Sequence, residues 1–136
     1  MARSVLVDAG FIIALLSRRD NHHEWAAGKA GEFAPPWNIC EAALSEAFHL
    51  VRAPGISSLM ALLRRDSLRV AFDLANELDA VLKLMDKYSD VPMSLADACL
   101  VRMTETVSNP ILLTTDADFR VYRRHSRQRI PFIAPV

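Results

Sequence analysis

The sequence is short, half apolar and electrically neutral, and these properties exclude several classes of protein. Its 136 residues are 51% hydrophobic, enough for one domain that buries roughly two-thirds of its unfolded surface. Its 16 basic and 16 acidic side chains cancel, so no net charge attracts nucleic acid without specificity. We therefore expect a single globular domain over residues 1–136.

No pattern in the sequence points to a membrane, a secretion signal or a disulfide framework. The longest apolar run, residues 11–16 (FIIALL), is too short to span a bilayer, and no cleavable signal pattern precedes it. The two cysteines, Cys40 and Cys99, are isolated on apolar helical patterns without a CxxC pair. We expect a soluble protein of the reducing cytoplasm.

Short apolar runs alternate with helical patterns along the chain. The predicted strands are residues 4–8 (SVLVD), 36–39 (PWNI), 68–72 (LRVAF), 111–115 (ILLTT) and 131–135 (PFIAP). The predicted helices are residues 10–33 as one or two helices, 40–51, 56–66, 73–89 and 94–107, with a helical turn or short helix at 116–124. This alternation predicts an α/β fold in which helices cover both faces of a parallel sheet.

Two aspartates stand where predicted strands end. Asp8 closes the run 4–8, and Asp116 follows the run 111–115. In parallel sheets, ligands bind outside the carboxyl ends of the strands, where the strand order switches direction. An unpaired polar group in the interior costs about 1–3 kcal/mol, and a charge costs more. We therefore expect these two carboxylates to have partners or a function.

The predicted helix 40–51 contains two glutamates with different interpretations. Asn38 and Glu41 fit a capping box, which gives Glu41 a structural role. Glu46 lies mid-helix at the flank of the apolar stripe, where nothing in the local sequence explains it. Solvation is the ordinary role of such a side chain, and a functional role is the alternative.

A fourth acid, Asp97, matches an S-x-x-D capping signature with Ser94, which could by itself explain it. It could also converge with Asp8, Glu46 and Asp116 on one pocket. A set of four carboxylates favours Mg²⁺ or Mn²⁺, whereas zinc prefers His and Cys at ligand spacing, which the four histidines do not offer. Carboxylates that share a site repel one another, so at least one should have a raised pKa without metal.

Four segments, in this order and at these intervals, resemble those of a PIN domain: VLVDAG, EAALSEAFHLV, LADACLVRM and ILLTTDADFRVYR. The resemblance covers essentially the whole chain and implies a three-layer α/β/α fold with a roughly five-stranded parallel sheet. It also implies a ribonuclease that depends on Mg²⁺ or Mn²⁺. The motifs place the four acids of the family, as metal ligands and catalytic residues, on Asp8, Glu46, Asp97 and Asp116. The resemblance thus selects Glu46 over Glu41.

Two further residues acquire supporting roles beside these acids. Thr114 is placed to hydrogen-bond the metal-binding carboxylates. Asp118 could support the site through water or cap the turn that begins at Asp116, and we favour capping. The chain also departs from many relatives, which have Ser or Thr in place of Ala9 and an acid in place of Ser94. Neither departure removes one of the four acids.

The chain has a cluster of arginines near its C-terminus that could contact RNA. Five of them fall within ten residues, at positions 120, 123, 124, 127 and 129. The planar guanidinium suits phosphate contacts, and Arg120, Arg123 and Arg124 are the candidates for the RNA backbone. The alternative is the solvated face of a terminal helix.

The resemblance implies an endoribonuclease that hydrolyses RNA phosphodiester bonds, with the toxin of a toxin–antitoxin module as one family role. The alternative is a PIN-like module that binds RNA or protein without cutting. An antitoxin protein and a second copy of the chain are the expected partners. Residues 56–63 could supply a dimer patch, with core packing as the more usual role of such a stripe; its apolar side chains are Leu59, Met60, Leu62 and Leu63.

Overall fold

A five-stranded parallel sheet forms the centre of the structure, a computed structural model that describes residues 2–136. The strands of the sheet are β1 (Ser4–Val7), β2 (Trp37–Ile39), β3 (Leu68–Val70), β4 (Pro110–Leu113) and β7 (Phe132–Ile133). A separate antiparallel hairpin contains β5 (Arg123–Arg124) and β6 (Gln128–Arg129). The sheet order is β3-β2-β1-β4-β7. The prediction of a parallel α/β fold is confirmed, and each sheet strand is shorter than the run that predicted it.

The described residues form six α-helices, which connect the strands. They are α1 (Ala9–Leu16), α2 (His23–Glu32), α3 (Glu41–Leu50), α4 (Gly55–Arg64), α5 (Leu74–Lys87) and α6 (Leu95–Thr106). Helix α1 packs against α2, α3 and α4, and α5 packs along α6. Because crossovers between parallel strands are right-handed, the reversal of direction after β3 places α5 and α6 on the face opposite the first four helices. None of these helices combines the length and apolar composition needed to cross a bilayer.

The two central strands consist almost entirely of apolar side chains because helices cover both of their faces. Leu6 and Val7 of β1 and Leu112 and Leu113 of β4 have no exposed surface. The two strands pair in register, with Val7 opposite Leu113. The residues that follow each strand are therefore neighbours at the same edge of the sheet.

That edge is the switch point of the sheet. From β1 the chain proceeds outward through β2 to β3, and it then returns to the other side of β1 with β4. Helix α1 follows β1, whereas the 3₁₀ turn Ala117–Arg120 and the hairpin follow β4, and a crevice is expected between the carboxyl ends of two strands at such a switch point. Asp8 follows β1 and Asp116 lies just beyond β4, so both flank this crevice.

The predicted capping box at the start of α3 is wrong. Asn38 lies within β2, pairs with Leu6 and Arg69, and donates from Nδ2 to the Val5 carbonyl oxygen (3.2 Å). The helix begins at Glu41 after Cys40, whose side chain makes no capping hydrogen bond. Pairing of β2 with strands on both sides therefore overrides the local capping signature.

The predicted helical segment 116–124 is also shorter than expected. A 3₁₀ turn covers Ala117–Arg120, and the chain then enters the β5–β6 hairpin. His125 and Ser126 have positive φ angles of 47° and 70°, which ends any helix and reverses the chain. No Asn-Gly or Asp-Gly pair marks the turn of this hairpin, so it could not be predicted from the local sequence.

Two contacts fasten the hairpin to α6. The Arg124 guanidinium donates through Nη2 to the carbonyl oxygen of Thr104, close to the C-terminus of the helix, and the backbone N–H of His125 donates to Glu105 Oε2 (2.7 Å). A cation at a helix C-terminus is favourable because the last carbonyl groups carry partial negative charge. The Arg124 side chain is thus engaged by the protein itself. It is therefore not free for the RNA phosphate contact that the sequence suggested.

Most of the predicted dimer stripe on α4 belongs to the core. Leu59 and Leu62 are buried, Leu63 is half-buried, and only Met60 reaches solvent. The stripe therefore follows the more usual role of such a pattern, and it offers little surface to a second copy.

Cys40 and Cys99 are both free and buried.

We expect Arg124→Ala to lower the stability of the protein and Arg120→Ala to leave it unchanged. The first substitution leaves the Thr104 carbonyl without its charged donor, at a cost of about 2 kcal/mol, or several degrees in melting temperature. The second removes an exposed side chain with no hydrogen bond or ion pair among the described residues. Thermal melts of the two variants measure the difference, and equal melting temperatures would contradict the anchoring role.

Candidate active site

The four acids predicted from sequence line one cavity at the switch point of the sheet. Its volume is about 230 Å³. Asp8 follows β1, Glu46 lies on α3, Asp97 lies in the first turn of α6, and Asp116 follows β4. Four separate elements thus contribute one carboxylate each, and the sheet register and the packing of α3 against α6 bring them together.

Asp8 is the most buried of the four, with 9% of its surface exposed. It caps α1: Oδ1 accepts a hydrogen bond from the backbone N–H of Phe11 (3.0 Å), and Oδ2 accepts one from the Thr114 hydroxyl. Burial raises the pKa of Asp8 to about 6, with smaller contributions in the same direction from the charges of Asp116 and Asp97. The two hydrogen bonds oppose this rise. The expected raised pKa is present, but desolvation is its main cause rather than repulsion.

Thr114 connects the ends of the two central strands. Its side chain is fully buried, and it donates to Asp8 while its oxygen accepts from the backbone N–H of Asp116 (2.9 Å). One hydroxyl group therefore fixes the distance between the segments that follow β1 and β4. The contact with a site carboxylate is the one that the sequence analysis anticipated for Thr114.

Asp116, and not Asp118 as predicted, caps the turn that begins at Asp116. Oδ1 of Asp116 accepts from the backbone N–H of Asp118 (2.8 Å), so Asp116 caps the 3₁₀ turn. Asp118 is exposed and provides only the backbone donor in this bond. Capping falls to Asp116 because the first residue of a helical turn is the one whose side chain can reach the free N–H groups.

Asp97 combines a structural contact with a place in the cavity. Its backbone N–H donates to Ser94 Oγ (3.0 Å), and its Oδ2 accepts from the backbone N–H of Ser94 (3.1 Å), which completes the predicted capping box. Burial raises the pKa of Asp97, and the Asp116 charge adds to this. The two interpretations of Asp97 are therefore compatible, since one carboxylate caps α6 and also lines the cavity.

Glu46 differs from the three aspartates. Its side chain is exposed, and it takes part in no hydrogen bond or ion pair within residues 2–136. It lines the cavity from the α3 side. Glu41, which lies about 1.4 turns earlier on the same helix, does not line it. Glu46 therefore has the freedom to move toward a ligand that the three hydrogen-bonded aspartates lack.

Gly10 allows a close approach of backbone to the cavity wall. A Cβ atom at this position would lie 2.0 Å from Thr115 Oγ1 and 3.4 Å from Asp8 Oδ1. The start of α1 can therefore pack directly against the segment that leads into Asp116 only because position 10 has no side chain. Within the motif VLVDAG, no local pattern in the sequence marks this glycine.

Tyr122 is a second residue that the sequence analysis missed. It is fully buried, and its hydroxyl lies 3.2 Å from Asp97 Oδ2. A signal was available: Phe119 and Tyr122 are three residues apart, a spacing that puts two aromatic rings on one side of a helical turn and predicts burial of both. A buried tyrosine hydroxyl usually has a hydrogen-bond partner.

The oxygen atoms of the carboxylates are ligands that suit a hard divalent cation, although the side chains are not already gathered around one point. Within residues 2–136, no three Asp, Glu, His or Cys side chains stand together in a way that could hold a metal ion directly. Mg²⁺ usually binds through one or two carboxylates and retains several water molecules, so it does not require such a cluster. Oxygen ligands around a cavity with room for several water molecules suit Mg²⁺ or Mn²⁺ better than zinc.

We expect Asp8→Asn to stabilise the metal-free protein at neutral and alkaline pH and not at acidic pH. The pKa of Asp8 in the folded protein is about 6, raised from 3.8. The protonated carboxyl group therefore stabilises the wild type fully below pH 3.8, and this stability is lost as the pH rises through about 6. The full difference is about 3 kcal/mol. Asparagine keeps the Oδ1 acceptor for Phe11 and can donate to Thr114 instead of accepting from it.

Thermal melts of both proteins in chelator, at about pH 3.5 and about pH 8, test this expectation. The melting temperatures should nearly coincide at the lower pH and diverge in favour of the variant at the higher one. A difference that does not change with pH would show that the Asp8 carboxylate is not strained by burial.

Comparisons with known proteins agree with the fold. The structure of VapC20 from Mycobacterium tuberculosis, a sarcin-ricin loop cleaving toxin, is similar to this one with a TM-score of 0.74. The two sequences are 20% identical, and the alignment covers 87% of this chain and 94% of that one. A search of curated proteins gives no match. A profile of the PIN domain matches residues 5–124, and the chain therefore belongs to the PIN domain family.

Proposed function

We propose that the protein is a metal-dependent endoribonuclease that hydrolyses RNA phosphodiester bonds. The observation that carries the proposal is that one carboxylate from each of four elements lines a single cavity at the switch point of a PIN-family sheet. The similarity to VapC20 supports a toxin of a toxin–antitoxin module as the biological role. Asp8, Glu46, Asp97 and Asp116 are the proposed metal ligands and catalytic residues.

The protein side of the reaction follows from how these carboxylates are held. Hydrogen bonds fix Asp8 through both oxygens, and they fix Asp97 and Asp116 through one oxygen each, so three acids define the frame of the site. Glu46, which has no such bond, adjusts to the ligand. Mg²⁺ or Mn²⁺ bound by these groups would supply a water of lowered pKa and stabilise charge on the scissile phosphate. The buried Asp8 must lose its proton for this role.

The RNA strand is proposed to pass over the 3₁₀ turn and the β5–β6 hairpin. A second cavity of about 390 Å³ lies there, with an apolar floor and an arginine rim. Its lining residues are Phe119, Arg120, Arg123, Arg129, Ile130 and Phe132. The 3₁₀ turn has Asp116 at its start and Phe119 and Arg120 at its end. One short turn therefore connects this cavity to one of the four acids.

The arginines of this rim differ in how far they are available to a phosphate. Arg123 Nη1 donates to the carbonyl oxygens of Arg120 and Tyr122 (2.7 and 3.0 Å), so part of its donor capacity is used within the protein. Arg120 and Arg129 are exposed and have no ion pair among the described residues. We therefore propose Arg120 and Arg129 as the main phosphate contacts, with Arg123 contributing its charge.

We propose a different surface for a protein partner. A groove of about 800 Å³ lies between α1 and the segment that joins α3 to α4, with apolar and basic side chains along it. Leu50 in this groove is 50% exposed, and Arg18, Arg19 and Arg52 border it. An antitoxin segment with apolar and acidic side chains would suit this surface. A homodimer remains a prediction that the family resemblance supports.

We expect the wild type to cleave single-stranded RNA in Mg²⁺ or Mn²⁺ and to lose the activity in chelator. Asp97→Asn and Glu46→Gln should reduce cleavage by at least about 100-fold, because loss of groups that merely support metal ligands already costs about 10–100-fold in metal affinity or activity. Gel analysis of a labelled oligonucleotide gives the rates.

Glu41→Gln is the matched control for Glu46→Gln. It makes the same chemical change on the same helix, outside the cavity, and should retain wild-type cleavage. Equal rates for the wild type and all three variants would indicate a contaminating nuclease and overturn the proposal. RNA binding without cleavage by the pure protein in Mn²⁺ would favour the alternative, a PIN-like module that binds without cutting.

We expect the double variant Arg120→Ala, Arg129→Ala to bind RNA with a weaker dependence on salt. Two lost phosphate contacts should reduce the slope of log K against log salt by about 1.4 for a single strand. Arg69→Ala is the control. Arg69 lies on β3, at the edge of the sheet far from the hairpin, and forms an ion pair with Asp66 (2.8 Å). If both changes alter the slope equally, the hairpin is not the RNA surface.

A further inference from the structure

The phenol of Tyr122 touches the candidate site from within the core. The side chain has no exposed surface, yet its hydroxyl lies 3.2 Å from Asp97 Oδ2 and 3.0 Å from the carbonyl oxygen of Pro92. The hydroxyl has one proton for two acceptors. If the proton were directed at Pro92, the phenol oxygen would oppose the carboxylate, so an ionised Asp97 draws the proton to itself.

This hydrogen bond leaves the two oxygens of Asp97 in different states. Oδ2 accepts from the backbone N–H of Ser94 (3.1 Å) and from Tyr122, which together use both of its lone pairs. Neither of these two bonds involves Oδ1, and Asp97 lines the cavity. The carboxylate is therefore held by one oxygen and offered to a ligand by the other.

The ring of Tyr122 is held firmly enough to act in this way. It makes edge-on contacts with Tyr88 (centroids 5.3 Å apart, 66° between the planes) and with Phe119 (5.4 Å, 89°). Tyr88 is itself fixed, because its hydroxyl accepts from the backbone N–H of Arg123 (2.8 Å). Packing on both sides prevents the phenol from turning away from Asp97.

We propose that Tyr122 is a positioning residue that orients Asp97 so that only Oδ1 binds the divalent cation. The inference rests on the proposed function, since it concerns one ligand of the same site. Tyr122 touches neither the cation nor the RNA, and it acts only through Asp97. Without the phenol hydroxyl, only the Ser94 N–H holds Oδ2, so the carboxylate is less firmly oriented and its contact with the cation is weaker.

Tyr122→Phe tests this proposal because it keeps the ring and its two aromatic contacts and removes only the hydroxyl. We expect the affinity for Mn²⁺, measured by isothermal titration calorimetry without RNA, to fall by about 10-fold or more. In cleavage assays, the Mn²⁺ concentration for half-maximal rate should rise by the same factor, and KM for RNA at saturating Mn²⁺ should stay unchanged.

Tyr88→Phe is the matched control. It removes the other phenol hydroxyl of the same aromatic cluster, whose partner is the Arg123 backbone rather than a site carboxylate. It should lower the melting temperature at least as much as Tyr122→Phe while leaving Mn²⁺ affinity at the wild-type value. A folded Tyr122→Phe protein with wild-type Mn²⁺ affinity, or equal losses of affinity in the two variants, would overturn the positioning role.

Failure of this inference and failure of the proposed function give different results. A wild type that binds Mn²⁺ and cleaves RNA, together with a Tyr122→Phe variant that does both equally well, overturns the inference alone. A wild type that binds no Mn²⁺ overturns the metal site and the inference with it. A crystal structure of Tyr122→Phe adds a measurement independent of metal, because a carboxylate of Asp97 in its original orientation would also overturn the proposal.

Discussion

The site depends on the two hydrogen bonds that hold the buried Asp8 carboxylate. Pairing of β1 with β4 places Thr114 beside Asp8, and the start of α1 supplies the Phe11 N–H on the other side. A carboxylate with 9% exposure would otherwise be a nearly uncompensated buried charge, whose cost exceeds that of an unpaired neutral group. Thr114 extends the same network to the Asp116 backbone. One set of hydrogen bonds therefore joins the ends of the two central strands to the wall of the cavity.

The N-termini of helical segments supply most of the support for the site. Asp8 caps α1, Asp97 closes the capping box of α6, and Asp116 caps the 3₁₀ turn. Backbone N–H groups and the helix dipole favour negative charge at such positions. The helical segments after β1 and β4 start at the carboxyl edge of the sheet, and the start of α6 lines the same cavity, so acids that cap these segments also reach the crevice. Capping and participation in the site are thus two effects of one placement.

Burial and repulsion act together on these acids, and burial is the larger effect. The pKa values of Asp8 and Asp97 are raised mainly by desolvation, with the neighbouring carboxylates as secondary causes. Hydrogen bonds direct the aspartates toward protein donors rather than toward a common point, which agrees with the absence of a ready-made metal cluster within residues 2–136. A cation would offset both the lost hydration and the repulsion, which is why a site of this kind can tolerate four carboxylates.

The sequence by itself determined the order of strands and helices, the two acids at strand ends and the Ser94–Asp97 capping box, because each depends on periodicity or on residues close in the chain. The PIN motifs added Glu46, whose side of α3 faces the cavity. Only the tertiary structure decided the contacts between distant segments. Pairing with β1 and β3 took Asn38 out of its predicted cap, and the C-terminus of α6 took Arg124 away from solvent. Likewise, Thr114 reaches Asp8 across 106 positions and Tyr122 reaches Asp97 across 25. Local patterns carry no information about such partners, since they are chosen by sheet register and packing rather than by sequence spacing.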